Sequence, residues 1–243
     1  MKKLGQHSTI YENFGNKQIN IHSLCEDIDS NISSTFDTIE KIRPYIDDRS
    51  TKIRLTKLRN LLFQNIQRLL YDLKPNILCF QETNLKHTQS SQIKDYNGYF
   101  KNRVNPGRAS GGVAIFTKDN IESEEVYLNT HLEAIAVSIK LQKQICICNI
   151  YIPDSTPLTL HDLSQIISLL PKPFVILGDF NSRNTLWGSS YTDKRGKIME
   201  RLLERSDLIL LNNGKPTRHN PVNGNFSAID LSIASPLHQS HLT

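Results

Sequence analysis

The sequence predicts a layered α/β domain built around mixed β-sheets. Short apolar runs that are typical of buried strands alternate with segments whose apolar residues recur at helical spacing. The two longest predicted strands, residues 132–141 and 144–152, are joined by a tight connection, which predicts an antiparallel hairpin. Hairpins and helical crossovers in one chain favour mixed sheets over a purely parallel, doubly wound sheet. The 243 residues suffice for one medium-sized domain with a tail.

The first 50 residues carry little pattern. They are rich in Asn, Ser and Asp and contain one possible short strand, at residues 18–22. We interpret residues 1–50 as a weakly structured extension and predict that the folded domain spans residues 51–243. Its first element is an amphipathic helix that ends at Leu73, because Leu and Ile recur at helical spacing from Leu58 and Pro75 follows.

The remaining elements follow in chain order from apolar period and turn residues. Strands are predicted at residues 77–80, 113–117, 174–177, 208–211 and 228–234. Helices are predicted at residues 158–170, between two prolines, and at residues 196–206, where Ile198, Leu202 and Leu203 share one face. Each predicted helix therefore lies between predicted strands, as a layered α/β domain requires.

The composition is that of a globular chain with a modestly basic surface. The net charge of +5 suits a polyanionic partner such as nucleic acid. The cysteines Cys25, Cys79, Cys146 and Cys148 contain no C-x-x-C pair, which favours a reducing, intracellular setting. Neither an apolar signal-peptide core nor a run of about 18 apolar residues is visible, so we expect no secretion signal and no membrane span.

Acidic and amide side chains lie at the predicted ends of strands. Glu82 follows the first of these strands after a single glutamine, and Asp179 and Asn181 follow a later one. Mg²⁺ binds one or two protein carboxylates and bridges to phosphate, while a further carboxylate can deprotonate the attacking water. We therefore predict Glu82 as the metal ligand and Asp179 as the group that activates water, held by Asn181. The alternative is that residues 178–181 form an ordinary turn.

Asn149 and Tyr151 lie two residues apart in one predicted strand and so share a face. Because amides and phenols donate to phosphoryl oxygens as negative charge develops, we predict that both contact the phosphate, with Tyr151 catalytic. Asp230, in the last strand, is predicted to orient a catalytic partner or a second ligand, and Ser227 to contact substrate. The alternatives are that Asn149 satisfies backbone groups and that Tyr151 packs in the core.

Six segments, in this order, resemble blocks of a known family. They are residues 77–83 (ILCFQET), 111–117 (GGVAIFT), 149–153 (NIYIP), 176–181 (ILGDFN), the pair Trp187-Gly188, and residues 227–234 (SAIDLSIA). They resemble the endonuclease/exonuclease/phosphatase superfamily. The stretches NSRNTLWGSSYTDKRGK and LLNNGKPTR are especially similar to the endonuclease domain of jockey-like, LINE-type non-LTR retrotransposons. The resemblance covers residues 51–236.

The resemblance implies a four-layer α/β sandwich, with two mixed sheets packed together and flanked by helices. It also implies hydrolysis of phosphoesters with Mg²⁺ or Mn²⁺. In the retrotransposon branch the domain nicks target DNA and leaves a hydroxyl that primes reverse transcription, which places it in the nucleus. By motif, the metal ligand falls on Glu82, and the catalytic residues fall on Tyr151, Asp179, Asn181 and Asp230, which agrees with the residues chosen from their chemistry.

Two parts of the family pattern are missing from the sequence. The catalytic asparagine expected after the first strand has no match in residues 52–59, where a strand competes with the predicted helix and where Lys57, or Asn60 just beyond, takes its place. The closing Ser-Asp-His segment is also missing, since neither His238 nor His241 follows an aspartate, so we expect a truncated copy of the domain. Three hypotheses result: a metal-dependent DNA endonuclease, a catalytically dead remnant that at most binds nucleic acid, and a phosphatase-type member of the superfamily.

Overall fold

The structure, a computed structural model, describes most of the chain from Leu70 onward. The described residues are Leu70 and residues 73–104, 110–204, 207–219 and 226–236, all within one compact unit, Arg68–Thr243. Several sequence predictions lie outside them and stay predictions: the extension at residues 1–50, the competing helix and strand at residues 52–69, and the two C-terminal histidines. At the end of that predicted helix, Leu70 and Leu73 are helical.

A first sheet consists of three strands that all pair antiparallel. They are β1 (Ile77–Gln81), β2 (Tyr96–Lys101) and β3 (Val113–Lys118), and β3 lies in the middle. The central strand is buried from Val113 to Thr117, as its apolar sequence requires. The predicted strands at residues 77–80 and 113–117 are therefore confirmed.

The other strands form a larger sheet and a small ribbon. They are β4 (Glu122–Val126), β5 (Glu133–Lys140), β6 (Gln144–Tyr151), β7 (Phe174–Asp179), β8 (Ile209–Leu210), β9 (Arg218–His219), β10 (Phe226–Ser227) and β11 (Asp230–Ala234). The second sheet has the order β4-β5-β6-β7-β11-β8, and β9 pairs with β10 alone. The predicted hairpin is β5–β6, whereas β6 and β7 run parallel, so the second sheet is mixed.

Two helices, α1 (Leu160–Leu169) and α2 (Lys194–Leu203), pack against one face of the second sheet, near their predicted positions. A short 3₁₀ helix, η1 (Thr185–Trp187), precedes α2. Helix α1 forms the crossover between the parallel strands β6 and β7. It begins with a capping box in which Thr159 and Asp162 exchange side chain-to-backbone hydrogen bonds. Within the described residues, neither helix has the length and apolarity needed to cross a bilayer.

Two buried clusters join these layers. One lies between the second sheet and the helices and includes Ile150, Phe174, Ile166 and Met199. The other lies between the two sheets and includes residues of β1, β3, β5, β6 and β7. Full burial of a large apolar side chain contributes roughly 1.5–3 kcal/mol, so both clusters stabilise the domain. The α/β architecture with two packed sheets is confirmed.

Two strands escaped the sequence analysis for physical reasons. Strand β2 contains Asn97-Gly98, a pair that is typical of turns. Strand β4 has the sequence ESEEV and is mostly exposed, because it lies at the edge of the second sheet, where charged residues prevent further pairing. Neither strand shows the apolar pattern by which the others were recognised.

Candidate active site

Four polar residues form a row across the second sheet. Glu133 of β5 lies opposite Tyr151 of β6. Tyr151 lies opposite Asp179 of β7, which in turn lies opposite Asp230 of β11. Directly opposite residues project from the same face of a sheet, and here this is the face turned toward the first sheet, since Leu177 of β7 packs between the sheets. The fold therefore places three residues predicted from the sequence side by side.

Gly178 allows β7 to approach β6 closely just before the site. Its φ of 144° lies in the region that favours glycine, and a Cβ at this position would lie 1.8 Å from the carbonyl oxygen of Ile150. Beyond it, Asp179 Oδ1 accepts from Asn181 N (2.7 Å) and Asp179 Oδ2 accepts from Asn181 Nδ2 (3.3 Å). Asn181 thus contacts both oxygens of the Asp179 carboxylate.

The Asp179 carboxylate lies among other negative charges. Burial, followed by repulsion from Asp230, raises its pKa well above the usual range, and Glu82 acts in the same direction. The hydrogen bond from Asn181 and the positive charge of Arg218 oppose the rise in pKa. A carboxylate with raised proton affinity is suited to take a proton from water. The same concentration of carboxylates also favours a bound cation.

Tyr151 connects the row to the first sheet. Burial, and then the interaction of its hydroxyl with the Glu82 carboxylate, raise the pKa of this phenol above its ordinary value. The hydroxyl therefore keeps its proton and remains a hydrogen-bond donor. Glu82 follows β1 directly, so the predicted metal ligand of the first sheet meets the predicted catalytic residues of the second.

The loop that carries Glu82 adopts an unusual backbone. Glu82 and Asn84 both have φ near 50°, a region that costs non-glycine residues of order 1–3 kcal/mol unless their surroundings impose it. The surroundings are supplied by a pair of glycines: Thr83 N donates to Gly112 O (3.2 Å) and Asn84 N donates to Gly111 O (2.8 Å). These bonds fix the loop against the start of β3.

Glu133 and Arg103 are site residues that the sequence analysis missed. Glu133 accepts hydrogen bonds from Gly112 N and from Arg103 Nε, the latter at 2.6 Å, and its side chain is only 13% exposed. It thereby supports the glycine pair that holds the Glu82 loop. The sequence contains a signal for it, because counting back from the tight connection of the predicted hairpin sets Glu133 opposite Tyr151.

The donor set suits a hard divalent cation that retains most of its water. Within the described residues, no three His, Cys, Asp or Glu side chains converge into a closed metal site. Mg²⁺ does not need one, because one or two carboxylates suffice when waters and a substrate phosphate supply the other oxygens, and Mn²⁺ shares the preference for oxygen. Glu82 would hold the ion, with Asp179 and Asp230 as the neighbouring carboxylates.

Asn149 joins the two sheets, and its predicted contact with substrate is corrected. The side chain is fully buried, and Nδ2 donates to the carbonyl oxygens of Phe80 in β1 (2.9 Å) and Ala114 in β3 (2.9 Å). Its Oδ1 accepts from Gln81 Nε2. Because both amide hydrogens are used inside the protein, none is left to donate to a phosphate. Asn149 satisfies backbone groups, which is the alternative that its sequence position also allowed.

Replacing Asn149 is expected to cost stability. Asn149→Ala removes the donors to two buried carbonyls, at about 1 kcal/mol for each net hydrogen bond, so the free energy of unfolding should fall by about 2 kcal/mol. Urea denaturation measures the change. The matched control is Asn97→Ala at an exposed position of β2, which should change stability little. Equal losses in the two variants would show that Asn149 does not join the sheets.

The start of β11, where Asp230 lies, is fixed by two side chains. Thr217 Oγ1 accepts from Ile229 N and from Asp230 N, each at 3.1 Å, and Asn212 Nδ2 donates to Asp230 O (2.9 Å). Ser227, the other predicted substrate contact, lies in β10, where its carbonyl oxygen accepts from Thr217 N (3.0 Å). The structure therefore places Ser227 in the ribbon and not in the row of polar residues.

The Trp187-Gly188 pair packs the segment that follows Asn181. Trp187 is fully buried, and its Nε1 donates to the carbonyl oxygen of Ser182 (3.1 Å). This block of the family resemblance thus supports the site from below and supplies no reactive group.

Comparisons with known proteins agree with this architecture. Residues 145–242 match the family model described as "Endonuclease-reverse transcriptase". In Drosophila melanogaster the chain is similar to the probable RNA-directed DNA polymerases from transposon X-element (26% identical over 152 residues) and transposon BS (25% over 175 residues). It is also similar to the RNA-directed DNA polymerase from mobile element jockey, at 24% over 179 residues. These alignments cover 59%, 70% and 70% of this chain but only 16%, 19% and 19% of the relatives.

Solved structures share the fold. The endonuclease domain of TRAS1, a telomere-specific non-LTR retrotransposon, superposes with a TM-score of 0.56 at 20% identity, covering 70% of this chain and 77% of that one. The 3′ phosphatase NExo from Neisseria, bound to a product DNA hairpin, gives 0.54 at 15% identity, covering 73% and 82%. With the family model, the mobile-element relatives and this fold, the chain belongs to the endonuclease/exonuclease/phosphatase superfamily and carries an endonuclease domain of the kind found in non-LTR retrotransposons.

Proposed function

We propose that this domain hydrolyses phosphodiester bonds of DNA with Mg²⁺ or Mn²⁺ as cofactor. The observation that carries the proposal is the row of Tyr151, Asp179 and Asp230 on adjacent strands, with Glu82 of the other sheet beside Tyr151. This arrangement places a proton acceptor, a hydrogen-bond donor and a carboxylate for a hard cation at one end of the sandwich. The endonuclease description of the matching family supports a nuclease activity.

The residues divide the chemistry among themselves. Asp179, whose proton affinity is raised, takes the proton from the attacking water, and Asn181 holds the carboxylate in place. Tyr151 keeps its proton and donates a hydrogen bond to a phosphoryl oxygen as negative charge develops there. A divalent cation at Glu82 would neutralise charge on the phosphate. Asp230 maintains the proton affinity of Asp179 by repulsion.

The biological role is part of the same proposal. The similar Drosophila proteins are polymerases of mobile elements, and this chain spans less than a fifth of their length. We infer that the domain nicks one strand of target DNA in the nucleus and leaves a hydroxyl from which a reverse transcriptase starts. The basic net charge of +5 supports binding to a polyanion.

Plasmid nicking tests the activity and its need for metal. The purified chain should convert supercoiled plasmid to the open circular form with Mg²⁺ or Mn²⁺, and EDTA should abolish the conversion until metal is restored in excess. Loss of positioned cationic stabilisation removes several kcal/mol from transition-state binding, so residual cleavage should be undetectable. Nicking that persists in EDTA would contradict the proposed chemistry.

Two further outcomes separate the alternatives. Hydrolysis of a small phosphomonoester without any nicking of DNA would favour a phosphatase-type activity. Salt-sensitive binding to DNA without hydrolysis of either substrate would favour a remnant that only binds nucleic acid.

A further inference from the structure

One buried arginine is bonded entirely to the segment that follows Tyr151. Arg195, the second residue of α2, has a side chain that is only 14% exposed. Its Nη1 donates to the carbonyl oxygens of Ile152 (3.2 Å) and Pro153 (3.0 Å), and its Nη2 donates to that of Thr156 (3.4 Å). A single guanidinium therefore holds three carbonyls of one short loop.

Helix stability does not explain this arrangement. A cation in the first turn opposes the helix dipole, and burial of its charge carries a desolvation cost. The helix is already capped by Asp193, whose Oδ1 accepts from Gly196 N (2.6 Å). Among the described residues, Arg195 Nε is buried without a hydrogen-bond partner. The arginine is thus costly where it lies, and what it holds is the loop.

The loop leads directly to the catalytic carboxylate. The carbonyl oxygen of Ile152 accepts from Arg195 and also from Asn181 Nδ2 (3.2 Å), the amide that contacts Asp179. The backbone N–H of Ile152 donates to the carbonyl oxygen of Asp179 (2.9 Å). Arg195 therefore supports the Ile152 peptide on which Asn181 and Asp179 both depend, and Tyr151 immediately precedes that peptide.

We propose that Arg195 is a positioning residue that fixes the Ile152–Asn181–Asp179 hydrogen-bond chain and the Tyr151 hydroxyl in their reactive geometry. The inference rests on the proposed phosphodiesterase function for its kinetic part, whereas its structural part stands independently. Arginine is needed because its planar fork reaches several carbonyls at once, which the single ammonium of lysine cannot do even though it carries the same charge.

Arg195→Lys tests the proposal in the full chain. We expect kcat for plasmid nicking to fall by about tenfold to a hundredfold with KM little changed, because misplacement of a supported catalytic group acts on the transition state. Hydrogen–deuterium exchange should accelerate at residues 152–156 but not in the C-terminal half of α2. The matched control is Arg201→Lys, an exposed arginine of the same helix, which should match the wild type in both measurements.

Each other result overturns the proposal or isolates it from the proposed function. Unchanged kcat in an active enzyme, or unchanged exchange at residues 152–156, would refute positioning by Arg195. Faster exchange throughout the domain would show a general structural role instead. If the wild type cleaves no phosphodiester, the proposed function fails, and the exchange measurement alone still decides whether Arg195 holds this loop.

Discussion

Asp179→Asn is expected to lower kcat for plasmid nicking by about 10²–10⁴-fold, the range that removal of a general base typically costs. The asparagine keeps the size of the side chain and still offers an oxygen to the backbone N–H of Asn181. It cannot, however, accept a proton from water. The loss should therefore appear in kcat, while DNA binding remains close to that of the wild type.

The same substitution should not destabilise the fold. In metal-free buffer the Asp179 carboxylate is repelled by Asp230 and Glu82, and its pKa is raised well above the usual range because the ionised form is disfavoured. A neutral isostere removes this repulsion. We expect the melting temperature of Asp179→Asn in EDTA to equal or exceed that of the wild type, as when a functional site trades stability for activity.

Both halves of this prediction need a control. Asp119→Asn changes an exposed aspartate in the turn after β3 and should alter neither kcat nor melting temperature. Nicking by Asp179→Asn at the wild-type rate would remove Asp179 from the mechanism. A large drop in its melting temperature would instead show that the carboxylate stabilises the fold.

Gly178→Ala is expected to lower the free energy of unfolding by about 3 kcal/mol or more, the combined effect of an unfavourable φ and of overpacking. The added Cβ would lie 1.8 Å from the carbonyl oxygen of Ile150, which is backbone and cannot rotate away. Strands β6 and β7 must therefore separate just where Tyr151 and Asp179 face each other. The melting temperature should fall by roughly 6–12 °C for a domain of this size.

Gly214→Ala is the matched control for this steric argument. Gly214 also has a left-handed φ, +83°, but a Cβ there would meet nothing within 4 Å. Only the conformational term remains, so the loss should be about 1 kcal/mol. Equal losses at the two glycines in thermal or urea denaturation would show that the close approach of β6 and β7 contributes nothing.

The sequence by itself predicted the apolar strands and the strand-end chemistry. Buried strands such as β1, β3 and β7 announce themselves because both of their faces need apolar residues, and the hairpin β5–β6 follows from two such runs with a tight connection. Glu82, Tyr151 and Asp179 were identified because reactive carboxylates and phenols interrupt or end these runs. The edge strand β4 and the turn-like β2 were not identified, since neither carries an apolar pattern.

Only the tertiary structure decided which side chains support the site and which hold the fold. Asn149 and Tyr151 share one face of β6, yet the first meets two backbone carbonyls of the other sheet and the second meets Glu82. Arg195 looks like an ordinary charged residue at a helix start, but folding buries it against the loop after β6. Strand period fixes the face on which a side chain lies, whereas its partner depends on how sheets, loops and helices distant in sequence pack together. For that reason the residues of the chemistry could be named from the sequence, and the residues that position them could not.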